Sequence, residues 1–160
     1  MTKFSSNRKI PIRLHINGKM HEQDILASDI LLHVLRNKVG LTGAKPGCLN
    51  GDCGACTVII DNRPMKSCLM LAIEAVDTEI LTIEGLKDTP IQRAFVEQFA
   101  FQCGYCTPGF IMNAYALLLH DSQPTEEKVK TWLSSNICRC TGYQEIEAAI
   151  YSVMRNKNEK

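Results

Sequence analysis

The stretch Gln102-Cys103-Gly104-Tyr105-Cys106-Thr107-Pro108-Gly109 places two thiols two residues apart, directly before a helix start. Thr107 suits the capping position of that helix, and Pro108 suits its first turn. Cys138-Arg139-Cys140-Thr141-Gly142-Tyr143-Gln144 repeats the plan, with Thr141 and Gln144 spaced as a capping box. Each cysteine pair therefore stands before the positive end of a helix dipole, where an anionic metal–thiolate centre is stabilised. Upstream, Cys48, Cys53, Cys56 and Cys68 form a second quartet. The expected chemistry is one-electron transfer at two iron–sulfur clusters, one per quartet.

Cys48, Cys53 and Cys56 show the x4, x2 spacing of plant-type [2Fe–2S] proteins, with Cys68 as the distant anchor. Gly47, Gly51 and Gly54 let this loop fold tightly and turn N–H groups toward the sulfurs, which stabilises an added electron. Plant-type clusters sit near about −400 mV, which suits a carrier and not an oxidant. Structural zinc favours paired knuckles, so the lopsided spacing argues for iron. The quartet of Cys103, Cys106, Cys138 and Cys140 is less distinctive. By spacing alone it leaves zinc, a redox dithiol and iron–sulfur open.

Composition narrows the setting. A net charge of +1, with basic residues scattered, gives no footprint for nucleic acid or an anionic membrane. The polar start from Met1 to Lys9 has no apolar signal segment after it, and no run approaches the roughly eighteen apolar residues of a membrane span. The expectation is a cytoplasmic protein whose eight cysteines stay reduced and serve metal or redox chemistry instead of disulfides.

The elements that must position these thiols fall into two kinds. Ile10 to Ile16 alternates as a strand, Asn17-Gly18 signals a hairpin, and Lys19 to Ile25 returns. His15 and His21 read as ordinary polar positions on those strands. Ser28 can cap a helix to about Lys38, with Ile30, Leu31, Val34 and Leu35 inward and Gly40 at its end. Thr57–Asp61, Met65–Leu69 and Glu79–Ile83 read as further strands, and Gly85 to Pro90 as a linker. Four helices follow. Ile91 to Ala100 turns Ile91, Ala94, Phe95 and Phe99 to one face, and Pro108 to His120 is apolar nearly all round. Thr125 starts the third, which turns Val129, Trp132 and Leu133 inward. Tyr143 to Met154 is the fourth, striped with Ile146, Ala149, Ile150 and Val153, and a frayed tail follows from Arg155 to Lys160. The expected fold class is α+β: a small mixed sheet, then a four-helix bundle.

Three segments carry a family resemblance. GCLNGDCGACTV at Gly47–Val58, QCGYCTPG at Gln102–Gly109 and NICRCTGY at Asn136–Tyr143 resemble the small iron–sulfur subunit of molybdenum hydroxylases, the xanthine dehydrogenase, aldehyde oxidoreductase, carbon monoxide dehydrogenase and nicotinate dehydrogenase family. The likeness spans nearly the whole chain and all eight cysteines. It implies a β-grasp ferredoxin-like domain over 8–85 and a helical [2Fe–2S] domain over 86–160. Cys48, Cys53, Cys56 and Cys68 would bind the cluster nearer the flavin. Cys103, Cys106, Cys138 and Cys140 would bind the cluster beside the molybdopterin. The resemblance also implies that Gln102 hydrogen-bonds the pterin and that Cys140 lies close enough to pass the electron. Ser135 stands where many relatives carry Gly, so that turn is expected to differ.

By the same resemblance, molybdopterin belongs to a large partner subunit and FAD to a medium one. The chain would relay single electrons between them within a hetero-oligomer while a purine, N-heterocycle or aldehyde-like substrate is oxidised. The competing readings are a free-standing ferredoxin-like carrier, which would need only the first cluster, and a zinc-stabilised interaction module. Metal analysis and colour separate the zinc module from both iron readings.

Overall fold

In the computed structural model, residues 8–158 are described, with side chains as far as residue 155. The first strands, β1 (Ile10–Ile16) and β2 (Lys19–Ile25), pair antiparallel around Asn17 (φ 52°) and Gly18 (φ 75°), the two positive-φ residues of the expected hairpin turn. Strands β3 (Thr57–Ile60) and β4 (Arg63–Lys66) form a second hairpin around Asp61 and Asn62, also at positive φ. Strand β5 (Glu79–Leu81) lies between the hairpins, parallel to β1 and antiparallel to β3. The mixed five-stranded sheet runs β2-β1-β5-β3-β4. Pro64 sits in β4, an edge strand, where its missing N–H costs no inner-ladder hydrogen bond.

The segment after β2 departs from expectation. Ser28 does not cap a helix. Asp29 Oδ2 instead accepts from the Leu26 N–H at 3.0 Å, closing a local turn, and Ile30 makes an isolated bridge to Leu71. Helix α1 therefore begins late, at Leu31–His33, and passes into π-helical turns over Val34–Val39 before Gly40 ends it at φ 86°. Leu31, Leu32, Val34 and Leu35 are fully buried against Leu14, Ile16, Ile25 and Ile80. The strand expected over Met65–Leu69 stops at Lys66, because Ser67–Leu69 tightens into a 3-10 turn that carries Cys68 inward.

Helices α2 (Pro90–Glu97), α3 (Thr107–His120), α4 (Glu126–Leu133) and α5 (Gln144–Asn158) surround a second core. Thr125 caps α4 as expected, accepting from the Lys128 N–H at 3.3 Å. Phe99 is corrected: α2 ends before it, its φ is 51°, and it is 79% exposed. The expected frayed tail starts too early, since α5 continues to Asn158; residues 159–160, like Met1–Asn7, lie outside the described residues. Ile59 of β3 packs into the helical core, so the sheet and the bundle share a wall. Among the described residues no helix is long and apolar enough to cross a membrane.

Phe110 is fully buried on α3 and meets Tyr143 edge-on, with ring centroids 6.1 Å apart. Phe110→Ala should cost about 3–5 kcal/mol, read as a lowered urea midpoint at unchanged m-value. A cost under about 1 kcal/mol would mean that the site collapses without harm.

Candidate metal centres

The first quartet is built by the loop between α1 and β3 together with the 3-10 turn after β4. Its outer half is a reciprocal clasp: the Cys48 N–H donates to Cys53 Sγ and the Cys53 N–H to Cys48 Sγ, both at 3.3 Å. At Gly47 a Cβ would overlap Cys53 Sγ, so this cradle has no room for a side chain. Cys56 and Cys68 are buried and form the inner half. The Ser67 N–H and hydroxyl both donate to the Cys56 carbonyl, which fixes one strand to the other.

The second quartet lies at the starts of α3 and α5, as expected, although neither proposed cap forms. Cys106 occupies the N-cap of α3, which puts Thr107 inside the first turn with its hydroxyl buried and unpartnered. Thr141 serves the cysteine turn instead, its N–H donating to Cys138 Sγ at 3.3 Å, and α5 starts only at Gln144. Cys103 and Cys140 are exposed, with sulfurs 3.5 Å apart, while Cys106 faces the buried Cys138. The Tyr143 hydroxyl accepts from the Cys138 N–H at 3.0 Å and meets its carbonyl at 3.2 Å, so Tyr143, at φ 69°, clamps that turn. A Tyr five residues after a cysteine gives no local signal of this role in the sequence.

The sulfurs are thus arranged in twos: Cys48 with Cys53, Cys56 with Cys68, Cys103 with Cys140, and Cys106 with Cys138. Among the described residues no three Cys, His, Asp or Glu side chains converge on one ion. Tetrahedral zinc needs four donors about one centre, whereas a [2Fe–2S] core takes its thiolates as two on each iron. The all-thiolate donor set, the twofold grouping and the N–H···S bonds fit a [2Fe–2S] cluster at each quartet.

The electrostatics differ across each quartet. Desolvation pushes the thiol of the exposed Cys48 up, but N–H groups of Cys53, Asn50 and Asp52 outweigh it and hold the thiol at about 7. Burial and then the neighbouring Cys56 push Cys68 up to about 11, and burial and then Cys138 push Cys106 up to about 12. Burial opposes ionisation of Cys138 too, yet the Thr141 side chain and N–H bring its pKa below the ordinary value. The Thr141 hydroxyl has no conventional hydrogen bond, so its effect is one of proximity to that sulfur. Cys103 raises Cys140.

In the metal-free chain the thiolate is the species that alkylates. Iodoacetamide should modify Cys48 at a rate that rises through about pH 7 and then levels, while Cys68 and Cys106 stay slow to pH 9. Peptide mass spectrometry reads the order. Uniform reactivity would show that the cradles form only with metal.

The two quartets meet at one seam. The Ile137 N–H donates to the Cys53 carbonyl at 3.0 Å, joining the residue before Cys138 directly to a cysteine of the first loop. Asn136, buried, donates from Nδ2 to the Gly54 carbonyl at 3.1 Å and accepts from Asn113 Nδ2 at 3.0 Å. Tyr105 adds an O–H bond to the Pro46 carbonyl at 2.9 Å. Gln102, beside Cys103, is exposed, as are Phe101, Tyr105 and Ile137 around the outer sulfurs.

Comparison with known proteins agrees with this two-part plan. A family described as a "2Fe-2S iron-sulfur cluster binding domain" matches residues 12–100, and one described as a "[2Fe-2S] binding domain" matches residues 82–151. The nicotinate dehydrogenase small FeS subunit of Eubacterium barkeri is 45% identical over 155 residues, covering 94% of this chain and 99% of the relative. The crystal structure of quinoline 2-oxidoreductase from Pseudomonas putida 86 contains a chain that superposes with a TM-score of 0.89 at 38% identity, over 96% of this chain and 98% of that one. The aldehyde oxidoreductase of Desulfovibrio desulfuricans matches at a TM-score of 0.88 and 36% identity, over 93% of this chain but 17% of its own much longer one.

Proposed function

Because the chain belongs to the family of small iron–sulfur subunits of molybdenum hydroxylases, where it serves electron transfer beside larger subunits, we propose that its eight cysteines are the ligands of two [2Fe–2S] clusters. Cys48, Cys53, Cys56 and Cys68 hold one, and Cys103, Cys106, Cys138 and Cys140 hold the other. The observation that supports this assignment is the grouping of sulfurs in four pairs. When bound, such clusters supply single-electron oxidation and reduction without proton transfer. The chain's own residues do the rest: Cys48 and Cys53 N–H groups stabilise negative charge on the sulfurs, and Tyr143 and Thr141 fix the Cys138 turn.

We extend the reading to order and partners. We propose a division at residues 8–85 and 86–160; the presence of two cores supports it, with Ile59 of the first half packed into the helical core. The helical quartet faces the large molybdopterin subunit, with Gln102 hydrogen-bonding the pterin and Cys140 as the sulfur nearest it. Both are exposed beside Phe101, Tyr105 and Ile137, as a docking residue must be before assembly. The ferredoxin-like quartet serves a medium FAD subunit. A cytoplasmic setting suits eight cysteines in no disulfide.

Gln102→Ala tests the order. Both clusters should assemble with normal EPR signals, while the large subunit co-purifies more weakly or electron entry under turnover slows about tenfold, one hydrogen bond to a polar partner being worth roughly 1.4 kcal/mol. Normal assembly and turnover in this variant would remove Gln102 from the contact.

A further inference from the structure

Lys66 ends β4, pairs in register with Thr57 next to Cys56, and precedes Cys68 by two residues. Its half-buried side chain lines a cleft of about 320 Å³ at the seam, together with Thr57, Pro64, Asn113, Trp132 and Ser135. The ammonium donates to the Ser135 carbonyl at 2.5 Å, three residues before Cys138. Among the described residues no carboxylate pairs with it, so its charge is not cancelled locally.

We propose that Lys66 is a positioned charge that raises the reduction potential of the first-quartet centre relative to the second, so that an electron arriving at the helical half passes downhill into the ferredoxin-like half. This rests on the cluster assignment and order given above. The physical reason is simple. Reduction adds one negative charge to an already anionic thiolate-bound centre, and a fixed cation in a half-buried seam stabilises the reduced form more than the oxidised one. One electron leaves the second centre and one enters the first, with no bond made or broken. The hydrogen bond to Ser135 holds the charge in place, since a free lysine in solvent would be screened.

EPR-monitored potentiometric titration of holo-protein carrying Lys66→Met or Lys66→Arg tests the proposal. In Lys66→Met the reduction equilibrium of the first-quartet signal should weaken about tenfold, 59 mV for a one-electron couple, with the second signal unmoved. Lys66→Arg keeps the charge and should titrate close to wild type. An unchanged first potential in Lys66→Met overturns the proposal, and so does an equal shift of both signals or an equal shift in Lys66→Arg. Should Lys66→Met lose the first signal, Lys66→Gln is read in the same way; loss in both neutral variants makes Lys66 structural and also overturns it. Cys68→Ser identifies the first-quartet signal without reference to Lys66. Failure of that variant to remove one signal would sink the ligand assignment, whereas a clean removal with a normal Lys66→Met potential would sink this inference alone.

Discussion

Replacing Cys68 with Ser should abolish one of two EPR signals seen on reduction and leave the other intact, with iron falling from about four to about two per chain. Cys68 is buried beside Cys56, and burial and then Cys56 push its thiol up to about 11, so metal binding there must release a proton. A serine hydroxyl there is a far poorer ligand for iron. The second quartet draws none of its thiols from that turn, so its signal should keep its shape and intensity. Loss of both signals together would refute independent sites and make the quartets one cooperative unit.

The second large effect is expected at the seam. Gly54 has φ 67°, and a Cβ there would run into the Asn136 carboxamide and the Ser135 carbonyl. Gly54→Ala should therefore cost about 1–2 kcal/mol for the left-handed backbone and about 1–3 kcal/mol for overpacking against neighbours that cannot retreat. For a chain of this size that lowers Tm by several degrees, at about 2–4 °C per kcal/mol. Gly142→Ala is the control, because its Cβ would meet nothing within 4 Å. Equal melting of the two variants would show that the seam yields without cost.

Local chemistry explains what was legible beforehand. Asn17-Gly18, the Thr125 cap and the Ile146/Ala149/Ile150/Val153 stripe each announce themselves within a few residues, and each is where the pattern put it. The misreadings arise where a competing partner, near or far, or an early helix end overrides the local pattern. Ser28 lost its helix because Ile30 is taken by Leu71 and Asp29 by Leu26. Thr141 caps nothing because α5 starts only at Gln144 and the Thr141 N–H goes to the Cys138 sulfur. Phe99 continues the inward period of α2, but the helix ends before it. The seam itself was illegible: Asn136 and Gly54 are 82 residues apart, and nothing in either motif states that one donates to the other.

That seam gives the fold its functional sense. A mobile carrier needs one exposed cluster, but here two thiolate cradles are pinned together by the bonds from Ile137 to Cys53 and from Asn136 to Gly54. The Asn136 amide is buried, and close packing around it holds its bond to Gly54 in place. The helical half is accordingly not a passenger on a ferredoxin. It brings the second cradle to a fixed distance from the first.

Quantification of iron, zinc and acid-labile sulfide on anaerobically purified protein, followed by EPR of the dithionite-reduced sample, bears most directly on this account. The predicted result is about four irons and about four sulfides per chain, with two distinguishable signals of about one spin each. Stoichiometric zinc without labile sulfide, or a single signal of one spin at full iron loading, would contradict it.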